Sequence, residues 1–348
     1  MPAGEIGVGV AIGRPTRGRA PRHQSRVDPF TFSPKVETRR HARVSREAEA
    51  ALADRTVISP GRDGLSVFWT TAEQSPTLIR LVGREREVAF RAIGEGTGHH
   101  VDLDSFDRRY LHLCAWNVHD GELVGGYRMR YVGDSRGLGR GSDPPDVPLY
   151  TQTLFDYDHA LLDQLAPAME LGRAFVRAPY QKSYGPLMLL WRGIGRMAAG
   201  FPGVRHLFGA ASISQAHSPA ARALMLHYLR SRAFDPVRAR LVCPRLPPSP
   251  GAMTLGDVPE DCRDVSTLRA LDAAVTRLNP SGARVPVLLR QYLKLGARVL
   301  GFNVDALFHD AIDALVVVDL ERMPASMRQR YLPADSASDW IDRQRRSA

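Results

Sequence analysis

The stretch MELGRAFV (Met169–Val176), with RAPYQKSYG (Arg177–Gly185) and PLMLLW (Pro186–Trp191) behind it, decides the fold. The first eight residues form an apolar run of strand length, and the next nine are turn-forming. Pro186 suits the first turn of a helix that runs to about Ala199. Strand, turn and helix in that order make one βα unit. A second follows: HLFGAASI is the heart of a strand over Val204–Ile213, and Ser218 is placed to cap a helix Pro219–Arg230. Upstream, Leu111–Val118 and Glu122–Tyr131 flank His119-Asp120-Gly121, a hairpin signal. Before it, Pro76–Ile93 carries an apolar stripe of helical spacing (Leu78, Leu81, Val82, Val88, Ala89, Phe90), closed by Gly94–Gly98; Leu161–Ala168 is a further helix. This order predicts an α/β fold, a mixed twisted sheet with helices on both faces.

The rest of the chain is arranged around that core, residues 61–243. Residues 1–60 are expected to form a disordered basic arm: residues 1–50 hold ten basic side chains against five acidic ones, with no apolar periodicity. Residues 133–148 are a Gly/Pro/Asp-rich loop. Residues 244–258 (PRLPPSPGAMTLGDV) read as a proline-rich linker. Residues 259–335 read as a smaller α/β extension packed on the core: helices at about 264–278 and 286–298, a loop at Gly301-Phe302-Asn303, a helix at about 305–311, a strand Ala314–Leu320 and a last helix near 323–331. Residues 336–348 are a tail.

The 348 residues carry a net charge of +10, and 44 of the 47 basic residues are arginine. Arginine's planar fork suits phosphate and carboxylate, although GC-rich coding alone would give the same bias. A basic protein meets acidic partners: nucleic acid, anionic lipid or an acidic carrier protein. No nucleic-acid-binding motif is present, so that partner is not expected. Three cysteines without a CxxC pair argue against a thiolate metal site, and no metal is expected. No apolar segment is long enough to span a membrane, which leaves a cytoplasmic location, with peripheral membrane contact through the basic arm, as the expectation.

Glu170 is the first candidate for chemistry, because a carboxylate inside an apolar strand is costly unless it is paired or lines a cleft. It reads either as half of a structural pair with an arginine or as a base at the mouth of a site. Strict alternation puts Glu170 and Gly172 on one face and Leu171 and Arg173 on the other. The helix start beyond the turn offers backbone N–H groups to a phosphate, with Arg177 and Lys182 close by. Asp102, Asp104 and Asp107 in VDLDSFD could clamp an amine, or could simply be solvated. His99 and Asp104 match the HxxxxD spacing of glycerolipid O-acyltransferases, but the glycine-rich motif expected downstream is missing.

Several blocks in the right order carry a resemblance: FRAIGEGTGHHVDLDSFDRRYLHLCAWNVHDGELVGGYRMR, then MELGRAFVRAPYQKSYGPLMLLWRGIGR, HLFGAASIS and VPVLLRQYLKLGARVLGFNVDALFHDAIDALVVVDLERM. Over about residues 66–332 the chain resembles the hemolysin-like, ornithine-lipid-synthase family of GNAT-type N-acyltransferases. It looks closest to the C-terminal half of bifunctional ornithine-lipid acyltransferases and is more distantly similar to acyl-homoserine-lactone synthases. The resemblance implies a GNAT-like fold and transfer of a 3-hydroxy fatty acyl group from acyl carrier protein to the α-amine of an amino acid, ornithine first. It implies catalytic roles for Glu170 and Arg173, and acceptor-site roles for Arg91, Asp102, Asp104, Arg128 and Ser212. No cofactor is implied beyond the acyl-carrier thioester. The O-acyltransferase domain of the bifunctional proteins is absent here, so a separate protein is expected for the second acylation.

The donor loop departs from the acetyl-CoA pattern Q/R-x-x-G-x-G/A. RAPYQKSYG suits the single phosphodiester of a carrier-protein arm better than the pyrophosphate of CoA. Arg177, Lys182, Arg192 and Arg196 are docking candidates for an acidic carrier, with a solvated basic face as the alternative. Aminolysis of a thioester needs a neutral amine. An α-amine has a reference pKa of about 8 against about 10.4 for a lysine-like amine, which favours the α-nitrogen by roughly 3 kcal/mol. The rival readings are a signal synthase acylating an amino-acid derivative and a non-catalytic partner of an O-acyltransferase.

Overall fold

A computed structural model of the chain describes residues 34–61, 63–133, 148–201 and 203–333. The chain divides into two compact units, Met1–Arg39 and Arg40–Ala348, and the second holds everything discussed below. The expected disorder up to residue 33, most of the loop 133–148 and the tail 336–348 lie outside the described residues.

The elements run α1 Pro34–Arg55, β1 Thr56–Ile58, β2 Leu65–Thr70, α2 Pro76–Arg91, β3 Leu111–Asn117, β4 Glu122–Val132, β5 Phe155–Tyr157, α3 His159–Leu165, β6 Ala168–Val176, α4 Gly185–Gly200, β7 His206–Ile213, α5 Pro219–Tyr228, β8 Val242–Pro244, α6 Glu260–Arg263, α7 Leu268–Leu278, α8 Val287–Lys294, β9 Arg298–Asp305, β10 Ala311–Asp319 and α9 Ala325–Tyr331. One eight-stranded sheet has the order β1-β2-β3-β4-β6-β7-β10-β9, and β5 pairs with β8 in a small second sheet. The β6–β7 pair is parallel, and the other ladders of the large sheet are antiparallel. The mixed sheet with helices on both faces is the expected GNAT-like architecture.

One face packs on α4, α5, α7, α8 and α9, around Trp191, which meets Tyr127 and Tyr292 edge-on at 6.1 and 5.3 Å. The other face is covered by α1 and α2 toward β2 and β3, and by α3 with the β5–β8 pair toward β7 and β10. No helix among the described residues is long and apolar enough to cross a membrane.

The structure differs from the sequence reading in four places. The basic arm is not disordered to residue 60: α1 forms, and Val44, Ala48 and Ala51 pack against Phe68, Leu78 and Trp116. Its buried stripe is made of small residues, so composition hides it. The C-terminal extension is not a satellite, because β10 pairs along its length with β7 and β9 completes the same sheet. Residues 298–305, read as helix end, loop and helix start, are strand β9. The proline-rich segment is packed rather than free. Leu246 donates its N–H to the Asn303 side chain at 2.7 Å and accepts from the Val304 N–H at 2.8 Å. Proline bars helix there, but it does not bar an extended chain along a sheet edge.

The β6–β7 pairing positions the site. Its ladder covers Ala168↔His206, Met169↔Leu207 and Glu170↔Phe208 and stops, although both strands continue. Gly209 sits at the closest approach, where a Cβ would lie 2.0 Å from the Leu171 carbonyl oxygen. Beyond it the strands part. Arg173 has φ 52°, and the β4–β6 register shifts between Gly126 and Arg128. A non-glycine residue in the left-handed region costs about 1–2 kcal/mol, and here it marks a bulge.

Candidate functional site

The bulge overturns the alternation read from sequence. It brings Arg173 to the acidic loop, on the same side of the sheet as Glu170, and the Glu170–Arg173 pair does not form. Instead, three arginines and three aspartates close a ring. Arg86 of α2 donates from Nε to Asp102 Oδ2 at 2.7 Å, from Nη2 to the Asp102 carbonyl, and from Nη1 to Asp107 Oδ1 at 3.2 Å. Arg128 of β4 donates from Nη1 to Asp104 Oδ1 at 2.7 Å and to Asp107 Oδ2 at 3.2 Å. Arg173 lies 3.5 Å from Asp102 Oδ2 and 3.3 Å from Asp104 Oδ2. The ring is neutral and almost wholly buried. Asp104, its side chain 27 % exposed, is the member open to a groove of about 820 Å³ lined by Ala72, Pro76, Ile79 and Leu103. Burial opposes the charge of Asp107, yet Arg86 and Arg128 outweigh it and hold its carboxyl well below the usual range. Burial likewise opposes the charge of Arg128, and Asp107 and Asp104 raise its pKa above the ordinary value.

The acidic loop is therefore neither solvated nor a bare amine clamp. Asp104 caps the short helical turn Ser105–Arg108, accepting from the Phe106 and Asp107 N–H groups, while Asp107 accepts from the Asp104 N–H. Gly83 lets this loop lie against α2, since a Cβ there would sit 2.8–2.9 Å from Leu103, Val101 and the Asp102 carbonyl.

Glu170 is buried and fully engaged. Oε1 accepts from the Thr151 N–H at 2.8 Å and the Thr151 hydroxyl at 2.6 Å, and Oε2 accepts from the Tyr110 hydroxyl. Tyr110 Oη in turn accepts from the Tyr150 N–H at 2.8 Å. Both oxygens thus serve to fix the 150–153 turn. Glu170, expected as a base or as half of a structural pair with an arginine, has its oxygens on this turn rather than on Arg173. The Tyr150 ring is stacked by Arg128 and Arg173 at 4.9 and 5.0 Å, and Arg173 also lies 4.3 Å over Phe308. At this site three buried guanidinium nitrogens have no hydrogen-bond partner among the described residues: Arg128 Nε and Nη2, and Arg173 Nε.

A second polar group lies beside the first. Ser212 of β7 stands opposite Asp313 of β10. Asp305 is close by and accepts from the Leu307 N–H at 2.9 Å. Burial pushes Glu95 up to about 7 and Asp313 up to about 8, and raises Asp305 as well.

Of the remaining candidates, Arg91 does not reach the acidic loop. It pairs with Glu87 at 2.6 Å and donates to the His99 carbonyl at 3.0 Å, holding the loop that bears Glu95. The residue that does the expected work is Arg86, one and a half turns earlier. Arg177 is tied to Glu85 at 2.8 Å and Glu122 at 3.0 Å, so it is not a free docking cation. Lys182, Arg192 and Arg196 are exposed at the start and along the outer side of α4, with Arg196 also donating to the Val57 carbonyl. Among the described residues no group of three or more His, Cys, Asp or Glu side chains is placed to hold a metal ion.

Sequence reasoning missed Arg86, Tyr110, Tyr150, Thr151, Glu95, Asp305 and Asp313. Asp313 was detectable by the argument used for Glu170, as a lone carboxylate in the apolar run AIDALVVV.

A family model described as an acetyltransferase (GNAT) domain matches residues 86–191. A glycine N(alpha)-acyltransferase of Bacteroides thetaiotaomicron is 27% identical over 299 residues, 80% of this chain and 84% of that protein. Its namesake in Phocaeicola vulgatus is 26% identical over 285 residues, 76% and 83% of the two chains. Among solved structures, a CoA-dependent acyl-homoserine lactone synthase aligns over 80% of this chain and 90% of its own, at 13% identity and TM-score 0.37. The GNAT-like loading domain of CurA from Lyngbya majuscula aligns over 74% and 98%, at 14% identity and TM-score 0.34. The stretch that matches the GNAT model runs from the end of α2 through the β3–β4 hairpin and β6 to the start of α4.

Proposed function

We propose that this chain is an N-acyltransferase that moves a fatty acyl group from the phosphopantetheine arm of an acyl carrier protein to the α-amine of an amino acid. The observation that carries the reading is the set of unpartnered buried N–H atoms on Arg128 and Arg173, next to the parting of β6 and β7. Buried donors without acceptors are costly, and a carboxylate satisfies a guanidinium edge better than any neutral group. An amino acid brings that carboxylate with its amine one carbon away. The neutral ring of Arg86, Asp102, Asp104, Asp107, Arg128 and Arg173 keeps those donors in place.

The thioester enters where β6 has no partner on its β7 side, from Gly172 onward. Backbone N–H groups freed from the ladder there are suited to the carbonyl oxygen as it gains charge. The phosphodiester of the arm meets the turn before α4, and the acidic carrier meets Lys182, Arg192 and Arg196. Glu170 and Tyr110 hold the 150–153 turn, so that Tyr150 backs both arginines.

Ornithine is the acceptor the sequence resemblance suggests, with 3-hydroxyacyl chains and a lipid product. The names of the two curated relatives favour glycine as the second reading. One assay separates them: mass spectrometry of the purified protein incubated with 3-hydroxyacyl carrier protein and a pool of amino acids. An N-acyl amino acid is the expected product, and its mass identifies the acceptor. No product with intact carrier binding would leave a non-catalytic partner as the function.

A further inference from the structure

With Glu170 engaged on both oxygens, the reaction still needs a group to take the amine's proton. The Glu95–Ser212–Asp313 cluster has the geometry for it. Asp313 and Glu95 are 4 % and 7 % exposed, and neither makes an ion pair among the described residues. Ser212 stands opposite Asp313 in the β7–β10 ladder, at the end of the sheet where β6 and β7 part. Arg173 is the cation facing it, over Phe308 and Tyr150, and its Nε has no partner. Across the parted strands, nothing lies within 4 Å of where a Gly172 Cβ would be, so that side is open.

We propose that Asp313, with Ser212 opposite it and Glu95 nearby, is the proton acceptor that turns the acceptor's α-ammonium into the attacking amine. This rests on the acyl-transfer reading above. An N–H bond of the ammonium breaks and an O–H bond forms on the ionised carboxyl. The freed nitrogen pair attacks the thioester carbon, the C–N bond forms, and the C–S bond breaks. The leaving sulfur takes a second proton from nitrogen, giving amide and free thiol, and the carboxyl returns its proton to solvent. The titratable and charged groups around the pair are Asp305, Arg173 and Tyr150, with His309 bonded to the Gly96 carbonyl beside Glu95. Burial raises Glu95 to about 7 and Asp313 to about 8, toward the α-amine's reference of about 8, which suits proton transfer from that amine better than from a side-chain amine near 10.4.

The test compares wild type, Asp313→Asn and Glu95→Gln in the full chain, with steady-state rates from pH 5.5 to 9. Wild-type kcat/KM should show an acidic limb with an apparent pKa near 7–8. Asp313→Asn should lose about 100-fold or more in kcat, with the acceptor KM little changed, and should lose that limb. Aminooxyacetate, whose nitrogen is already neutral at pH 7, should be acylated by the variant with less than about a tenfold loss. Glu95→Gln should shift the same limb, and it stands in if Asp313→Asn does not fold. An unchanged limb, or equal losses with both acceptors, would overturn the proposal while leaving the acyl-transfer reading intact. A wild type that acylates no amino acid would remove that reading, and this one with it.

Discussion

Asp107→Asn is the sharpest probe of the ion-pair ring. Asp107 is 2 % exposed and accepts from Arg86, from Arg128 and from the Asp104 N–H. Asparagine keeps the shape but removes the charge, so three arginines would face two aspartates, and an amide N–H₂ would be turned toward guanidinium donors. Breaking a buried pair from one side costs about 3–5 kcal/mol, because the remaining charge is left uncompensated. Against a typical stability of about 5–15 kcal/mol this is about a fifth of the total or more. Urea unfolding at pH 7 reads it as a fall in midpoint at constant slope. Arg84, exposed beside Glu85, supplies the control, and Arg84→Ala should cost less than about 1 kcal/mol. Adding Arg128→Met to Asp107→Asn restores neutrality, so the double substitution should cost less than the sum of the two single ones. Acid supplies a second readout. Asp107 is depressed in the folded chain, so its contribution is present above the unfolded carboxyl value of about 4 and is lost as pH falls toward the folded one. The variant should therefore lose less stability below pH 4 than wild type does. A cost below about 1 kcal/mol would show that water reaches the ring as it reaches a surface pair, and the argument for a dry, preorganised site would fail.

Burial lowers His112 to about 4, so it is neutral in the folded chain, with Nε2 donating to the Asp107 carbonyl at 2.9 Å. The unfolded chain takes up its proton near 6.5, so the contribution is full above that pH and falls by about 3 kcal/mol between 6.5 and 4; Glu95 and Asp313 act in the opposite sense, so the readout is the difference in urea midpoint between wild type and His112→Gln at pH 7 and 4.5. Glu170→Gln should cost about 1–3 kcal/mol by leaving donors around it mispaired, and should lower kcat while leaving the acidic limb of the kcat/KM profile where it was; a lost limb would return Glu170 to the role of base. Lys182→Glu with Arg192→Glu should lower kcat/KM for a carrier-borne donor about tenfold or more at low salt, with the gap closing at high salt, and should leave a free pantetheine thioester unaffected; equal losses with both donors would remove the docking face.

Much of this arrangement was legible, and the misses have physical causes. The hairpin, β6, α4, β7 and α5 announce themselves by period, turn residues and caps. Arg86 was in view as well, because Ile79, Val82, Gly83 and Arg86 fall on one buried stripe of α2 at spacings of three and four. An arginine in that stripe needs buried partners, whereas Arg91, five residues on, has rotated away to the rim. The bulge at Arg173 was not legible, since nothing in the residue type signals a positive φ, and one such residue reassigns the face of every side chain after it. Strand β9 was hidden by Asn303 and Asp305, whose types suggest a helix cap rather than strand positions beside a site.

The carboxylates were missed because the sheet, not the sequence, brings them together. β6 and β7 are parallel, so their carboxyl ends lie at one end of the sheet, the place where open α/β sheets leave a crevice. Arg173 and Ser212 stand near those ends. β10 runs antiparallel to β7, which puts its beginning, and Asp313, beside Ser212. On the same face of β10, Leu315 and Val317 continue the apolar cluster away from the crevice. Polar side chains thus replace apolar ones around the crevice, at this level and, with Arg130 opposite Glu170, at the next one on β4 and β6. His112 faces Arg128, Arg128 faces Gly172, and beyond the gap Ser212 faces Asp313, which faces Asn303. A belt of buried polar residues across six strands would be a heavy cost in a protein that only had to fold. Its single interruption is at Gly172, where the strands part and a substrate can take the place of the missing side chain.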